Sequence, residues 1–307
     1  MNIKWIKKGL IVRPEKFKLS WWNSFGMDPC SFHLKKDIYR IFFCGRSKKN
    51  VSQIGYIDYD IRKFKILAVS KKPVLTPGSL GSFDDNGVTA SCIIKLKSKL
   101  YLYYIGWKPK STTRYSLMTG LAVSKNLGKT FKRFSKAPIL NLTDKEPYSI
   151  LTAPYVLKKG SKWMMWYVSC NRWVNEDYPI YDIKIATSNN GLIWKQKGLT
   201  AIKLKSGERA AARPFVFYEK NKFKMYYCYE KVVGDYRIGY AESRNGYKWK
   251  RLDHLSGIKK SPIKGDWDHE MIAYPHLIIH KGKKYMLYNG NTYGKDGFGL
   301  AVGYEKK

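Results

Sequence analysis

Short apolar segments, in which β-branched and aromatic residues alternate with polar ones, recur along the whole chain. Gly, Asn and Lys turns divide them, and no stretch sustains a helical period. The clearest unit is LTAPYVLKKGSKWMMWY, residues 151–167. A Pro ends a short loop, an apolar strand follows, a Lys-Gly turn reverses it, and an aromatic strand returns. The unit occurs five times, pivoting on Pro29, Ser91, Pro154, Pro214 and Pro275 at separations of 62, 63, 60 and 61 residues. An aromatic stands thirteen residues after each pivot: Phe42, Tyr104, Tyr167, Tyr227 and Tyr288. Self-similarity at a fixed period marks a repeat architecture.

A third segment also repeats, as TGLAVSK (119–125), IKIATSN (183–189), IGYAESR (238–244) and FGLAVGY (298–304), with a looser IGYIDYD at 54–60. A fourth follows in most units after a Gly turn, and Asn-Gly between apolar runs is a strong hairpin signal. The expectation is an all-β, five-bladed β-propeller of four antiparallel strands per blade. Its blades lie at about 26–75, 85–140, 150–205, 210–260 and 270–307, and residues 1–307 form one domain. The last unit lacks a fourth segment, and Ile3–Gly9 reads like the outer strand Leu192–Gly198. A strand at about 1–12 is therefore expected to close the fifth blade and leave no open edge.

Composition narrows the function classes. No apolar run approaches the roughly 20 residues of a membrane-spanning helix, and the N-terminus has no apolar core of a signal peptide. The five cysteines, Cys30, Cys44, Cys92, Cys170 and Cys228, show no metal-ligand spacing. A cytoplasmic protein without metal or cofactor is expected. There are 58 Lys and Arg against 23 Asp and Glu, a net charge of +35. Such charge suits an anionic partner, yet no nucleic-acid-binding motif is present, so nucleic acid is not an expected partner.

In this topology the segments before each pivot and after each second strand share one face of the ring. On that face stand Asp28, then Asp84 and Asp85, then Glu208, Arg209 and Arg213, then Asp268, Glu270, Tyr274 and His276. The second-strand exits add Arg46, Trp107, Asn289 and Asn291. Carboxylates, arginines and aromatics converging on one funnel suit a saccharide or sugar-phosphate ligand, because glycosyl transfer uses a carboxylate pair. Asp84 and Asp85 read equally as turn formers beside Gly87.

The five units, Asp28-Pro29 at the first pivot and the Ile-Gly-x-Ala-x-Ser third strands resemble the five-bladed glycosidase superfamily. That superfamily holds arabinanase/xylosidase, invertase/levansucrase and mannoside-phosphorylase families. FDDNGV (83–88), WDHEMIAYP (267–275) and YNGNTYGKDGFG (288–299) are similar to an intracellular glycosidase-like branch associated with surface-polysaccharide loci. The resemblance implies an Asp before the first pivot, which Asp28 supplies. It also implies an acid Glu two residues before the third pivot, where Thr152 stands, and an Asp flanking the second, where Ala90 and Cys92 flank Ser91.

These observations together predict a glycosidase-like, carbohydrate-active enzyme that cleaves or transfers a glycosyl unit in surface polysaccharide metabolism. Asp28 is the candidate base or nucleophile, Asp85 a positioning carboxylate, and Glu208 or Glu270 the replacement acid. Arg46, Asp84, Trp107, Arg209, Arg213, Asp268, Tyr274, His276, Asn289 and Asn291 are the candidate substrate-binding residues. The alternatives are a non-catalytic glycan-binding propeller and a glycosyltransferase that uses an activated donor. Lysines crowd the strand 1–2 turns at 95–99, 158–162, 220–224 and 281–284, opposite the funnel. They read either as solubilising charge or as a peripheral docking face for the anionic inner leaflet of a membrane.

Overall fold

The computed structural model of the chain describes residues 3–305. Met1, Asn2, Lys306 and Lys307 lie outside the described residues, and with them the expected extreme ends of the closing strand and of the last unit.

The strands fall into five antiparallel meanders. Unit one comprises Ser24–Lys35, Ile38–Arg46, Ser52–Asp60 and Lys65–Val69. Unit two comprises Gly87–Leu96, Lys99–Pro109, Tyr115–Ser124 and Lys132–Arg133. Unit three comprises Ile150–Lys159, Lys162–Trp173, Pro179–Ser188 and Lys195–Ile202. Unit four comprises Ala210–Glu219, Lys222–Glu230, Arg237–Ser243 and Lys250–Arg251. Unit five comprises Ala273–His280, Lys283–Asn289 and Phe298–Glu305, and its fourth strand is the N-terminal Ile3–Val12, paired from Ile3↔Glu305 to Val12↔Phe298. The chain's two ends are thereby sewn into one blade.

Short parallel bridges (Ser52↔Gly87, Leu151↔Met118 and Tyr181↔Ala210) join units one to four at their funnel ends. Unit five is held to unit four by the Ile272 N–H on the Tyr236 carbonyl (3.0 Å) and to unit one by the Phe25 N–H on the Lys295 carbonyl (3.0 Å). Apolar side chains fill each seam between neighbours. Phe43, Trp21 and Trp22 of unit one meet Leu287 and Phe298 of unit five, for instance, and corresponding clusters lie between units one and two, two and three, three and four, and four and five. Burial between blades, rather than on one shared sheet face, explains why both faces of the inner strands are apolar.

The third-strand glycine of the repeat has a steric cause. Gly120, Gly239 and Gly299 pair directly across from Tyr104, Tyr227 and Tyr288. A Cβ at Gly120 or Gly239 would collide with the opposite tyrosine ring, and one at Gly299 with Trp267.

Candidate functional site

Each first strand carries a β-bulge at its pivot. In four units the residue before the pivot takes a left-handed backbone: Asp28 (φ 54°), Ala153 (φ 47°), Arg213 (φ 54°) and Tyr274 (φ 56°). That conformation is uncommon for residues with a Cβ, and a bulge re-aims the side chain it carries. All four side chains line a cavity of about 230 Å³ at the centre of the ring. Bulge and cavity therefore share one cause.

Among the described residues, Asp28 is the only carboxylate in the lining. Its Oδ1 takes the Arg213 Nε at 2.7 Å. Arg213 is otherwise spent on the Ser91 hydroxyl and on the Ala90 carbonyl (3.0 Å). Burial raises the Asp28 pKa above the ordinary aspartate value, with Arg213 and then Arg46 opposing the shift. The Asp28 backbone N–H donates to Asn289 Oδ1 (3.0 Å), and the Asn289 amide donates to Gly26 O and Gly297 O (2.7 and 2.9 Å). Asn289 thus locks the strained turn that presents Asp28.

Arg46 also lines the cavity. It packs over the Phe25 ring (4.1 Å) and donates to Asn50 Oδ1 (3.1 Å), with no carboxylate partner among the described residues. Trp107, Tyr115, Tyr181, Tyr236 and Tyr274 supply ring faces, and the Tyr181 and Tyr236 hydroxyls bond each other at 2.6 Å. Thr152 lines the cavity with its Oγ1 buried and without a hydrogen-bond partner in the structure. A buried hydroxyl left unpaired costs about 1–3 kcal/mol, which a bound hydroxyl or anion would recover.

Most of the other candidates are placed elsewhere, and a repeated device explains why. The tyrosine thirteen residues after the pivot donates to a carboxylate that a basic or amide side chain also holds. In unit two Tyr104 meets Asp84 (2.8 Å), which Arg133 binds. In unit three Tyr167 meets Glu146 (2.8 Å), with Gln196 beside it. In unit four Tyr227 meets Asp253 (2.5 Å), with Arg251 bridging to Glu208. In unit five Tyr288 meets Asp268 (2.9 Å), which Lys7 of the closing strand binds at 2.6 Å. Asp84, Glu208 and Asp268 thus pin each approach loop to its own blade rather than lining the cavity. Unit one has Phe42 at this position and so has no hydroxyl to pin.

Asp85 accepts the Gly81 N–H (2.8 Å) and pairs with Lys108 (3.3 Å), as a turn former would. Glu270 is exposed, and its backbone N–H is held by Asn291, whose amide braces the same loop through Asp266 O (2.9 Å). Arg209 is buried against Glu230 behind Tyr181. Burial raises the Glu230 pKa despite that pairing. His276 bridges units five and one: its Nε2 accepts the Ser31 N–H at 3.0 Å. Of the sequence-derived candidates, Asp28, Arg46, Trp107, Arg213 and Tyr274 converge on the cavity. Ser52, Leu117, Tyr181 and Tyr236 were missed. Each lies two residues before the repeated third segment, so the repeat itself held the signal.

No family model matches the chain. Among solved structures, a glycoside hydrolase superposes with a TM-score of 0.76 at 17% identity, over 98% of this chain and 92% of that one. A thermostable family-43 glycoside hydrolase gives 0.69 at 18% identity, over 92% and 91%. A structure from the GH130 family of mannoside phosphorylases, which contains glycoside hydrolases that target β-1,2 mannosidic linkages in Candida mannan, gives 0.71 at 14% identity, over 98% and 94%. These likenesses establish the glycosidase propeller fold. In sequence, the uncharacterized protein Rv1502 of Mycobacterium tuberculosis is 36% identical over 301 residues, 97% of this chain and 98% of its own length. The chain therefore belongs to the family of that mycobacterial protein, and its fold is that of the glycosidase propellers.

Proposed function

We propose that the funnel binds a saccharide bearing an anionic group and transfers or releases a glycosyl unit from a phosphate-linked donor, in the metabolism of surface polysaccharide. The observation that carries this reading is the count of charged groups in the cavity: one carboxylate, Asp28, with two guanidiniums, Arg46 and Arg213. Hydrolysis of an unactivated glycoside uses two carboxyl groups flanking the bond, one to protonate the leaving oxygen. Thr152 cannot supply that proton, because an alcohol is too weak an acid. Asp28 pairs with Arg213, and among the described residues no second carboxylate lines the cavity. A phosphate leaving group needs no proton, only positive charge, and Arg46 offers it without a competing carboxylate. Asp28, its basicity increased by burial, takes the proton of the attacking hydroxyl. Aromatic faces and tyrosine hydroxyls suit the C–H faces and hydroxyls of a sugar ring, and about 230 Å³ suits one ring with its substituent.

The test incubates the protein with neutral oligosaccharides, sugar 1-phosphates and nucleotide sugars, following products by mass spectrometry and phosphorus NMR. The expected outcome is turnover of phosphorylated donors alone, lost in Asp28→Asn by roughly 10²–10⁴-fold and weakened in donor binding by Arg46→Ala. Turnover of an unphosphorylated oligosaccharide sinks the reading. A second reading, a glycan-binding propeller, is favoured by the Asp28–Arg213 ion pair, which occupies the one carboxylate. It requires saccharide binding with no product from any donor.

A further inference from the structure

Every first strand starts at the funnel, so the strand 1–2 turns, and the strand 3–4 turns of units one to four, project from the opposite face. The turns at 35–36, 95–99, 158–162, 220–222 and 281–283 carry exposed lysines, and those at 62–65, 125–129 and 244–248 add further Lys and Arg. Acids on this face are already engaged. Glu219 holds Lys224 and Lys284 (2.7 and 2.8 Å), Asp37 holds His280 and Lys281 (2.8 and 3.1 Å), and Glu242 holds Lys222 (2.8 Å). Lys224 and Lys284 are buried and so leave the exposed set. The remaining lysines give the face a large positive excess.

Charge is only half of the pattern. At the tips of four strand 3–4 turns stand large apolar residues: Phe64, Leu127, Ile193 and Tyr247, with Ile193 77% exposed. Solubility asks for lysines and not for an exposed isoleucine among them. Single apolar tips spaced around a cationic ring, one in each of units one to four, are also unlike the contiguous apolar patch of a protein–protein interface.

We propose that this face docks on an anionic phospholipid bilayer, its lysines against headgroup phosphates and its four apolar tips in the headgroup–acyl boundary. Both halves of the pattern then have a partner, as in interfacial elements with basic and apolar faces. A nucleic acid would satisfy the lysines and leave Ile193 and Leu127 in water. Docking on this face points the funnel away from the bilayer. The proposal does not depend on what the funnel binds.

The full chain is floated with vesicles of phosphatidylcholine alone and of phosphatidylcholine with phosphatidylglycerol, at low and high salt. Flotation is expected with the anionic vesicles at low salt only, since the attraction falls off within a Debye length. Reversing Lys95, Lys97 and Lys99 to Glu lowers partitioning by about 10²-fold or more. Ile193→Ser lowers it by about tenfold or more, and leaves the affinity for a duplex DNA probe unchanged. These residues are exposed positions in or beside turns, and thermal melts verify that the variants fold. Absence of flotation, equal flotation with neutral and anionic vesicles, or indifference of vesicle binding to Ile193→Ser overturns the proposal. If duplex DNA binds more tightly than vesicles at equal salt, the face is a polyanion site instead.

Discussion

His276 is expected to make the ring acid-sensitive. Its imidazole is buried where units five and one meet, with Nε2 accepting the Ser31 N–H at 3.0 Å and lying 2.9 Å from Ser31 Oγ. A ring nitrogen that accepts from a backbone N–H carries no proton. Protonating it would set donor against donor and place a second buried cation beside Arg213. Burial first, and Arg213 second, therefore depress the pKa from 6.5 to about 3. The unfolded chain takes up this proton near pH 6.5 and the folded one near 3. In that window the unfolded state binds more protons, so stability is complete above pH 6.5 and is lost as pH falls toward 3. Each pH unit in the window costs about 1.4 kcal/mol. Between pH 6.5 and about pH 4.5 the loss is roughly 2 kcal/mol, a large part of a typical net stability of about 5–15 kcal/mol. The assay is urea unfolding of the wild type and His276→Gln at about pH 7, 6, 5 and 4.5. The amide oxygen of Gln can accept the Ser31 N–H and does not titrate. The stability difference between the two proteins should move in favour of the variant by roughly 2–3 kcal/mol across that range. Parallel pH profiles would refute the assignment of acid sensitivity to this contact.

Two further predictions concern the scaffold. Tyr167→Phe removes the hydroxyl proton shared between the two oxygens of the buried Glu146 carboxylate and should cost about 1.5–3 kcal/mol, read by chemical denaturation; unchanged stability would mean the pin contributes nothing. Deleting residues 1–9 removes most of the closing strand and the Lys7 partner of Asp268, exposing the edge of unit five. It should lower the melting temperature of the whole ring, and a melt identical to the full chain would deny the strand its closing role.

The repeat was legible because a propeller blade is specified locally. Alternation, Gly turns and an aromatic thirteen residues past each pivot set four strands per unit, and five units with a borrowed fourth strand set the closure. The residues facing the cavity were also legible where the backbone dictates direction. Asp28, Arg213 and Tyr274 precede the pivots, and the bulge aims whatever side chain stands there. What the sequence could not decide was the fate of the approach-segment carboxylates. Asp84, Glu208 and Asp268 sit on loops whose backbones permit either the funnel or their own blade. A tyrosine hydroxyl draws Asp84 and Asp268 to the blade, and an outer-strand base (Arg133, Arg251 or Lys7) draws all three. Those partners lie about 20 to more than 200 residues away in sequence, and only tertiary packing brings them within hydrogen-bond reach. Sequence by itself therefore determined the blades, their closure and the pivot residues, because strand period and bulge geometry are short-range. The tertiary structure alone decided that, among the described residues, a single carboxylate remains in the funnel, because burying a charge requires a partner and the fold places the partners of the others elsewhere.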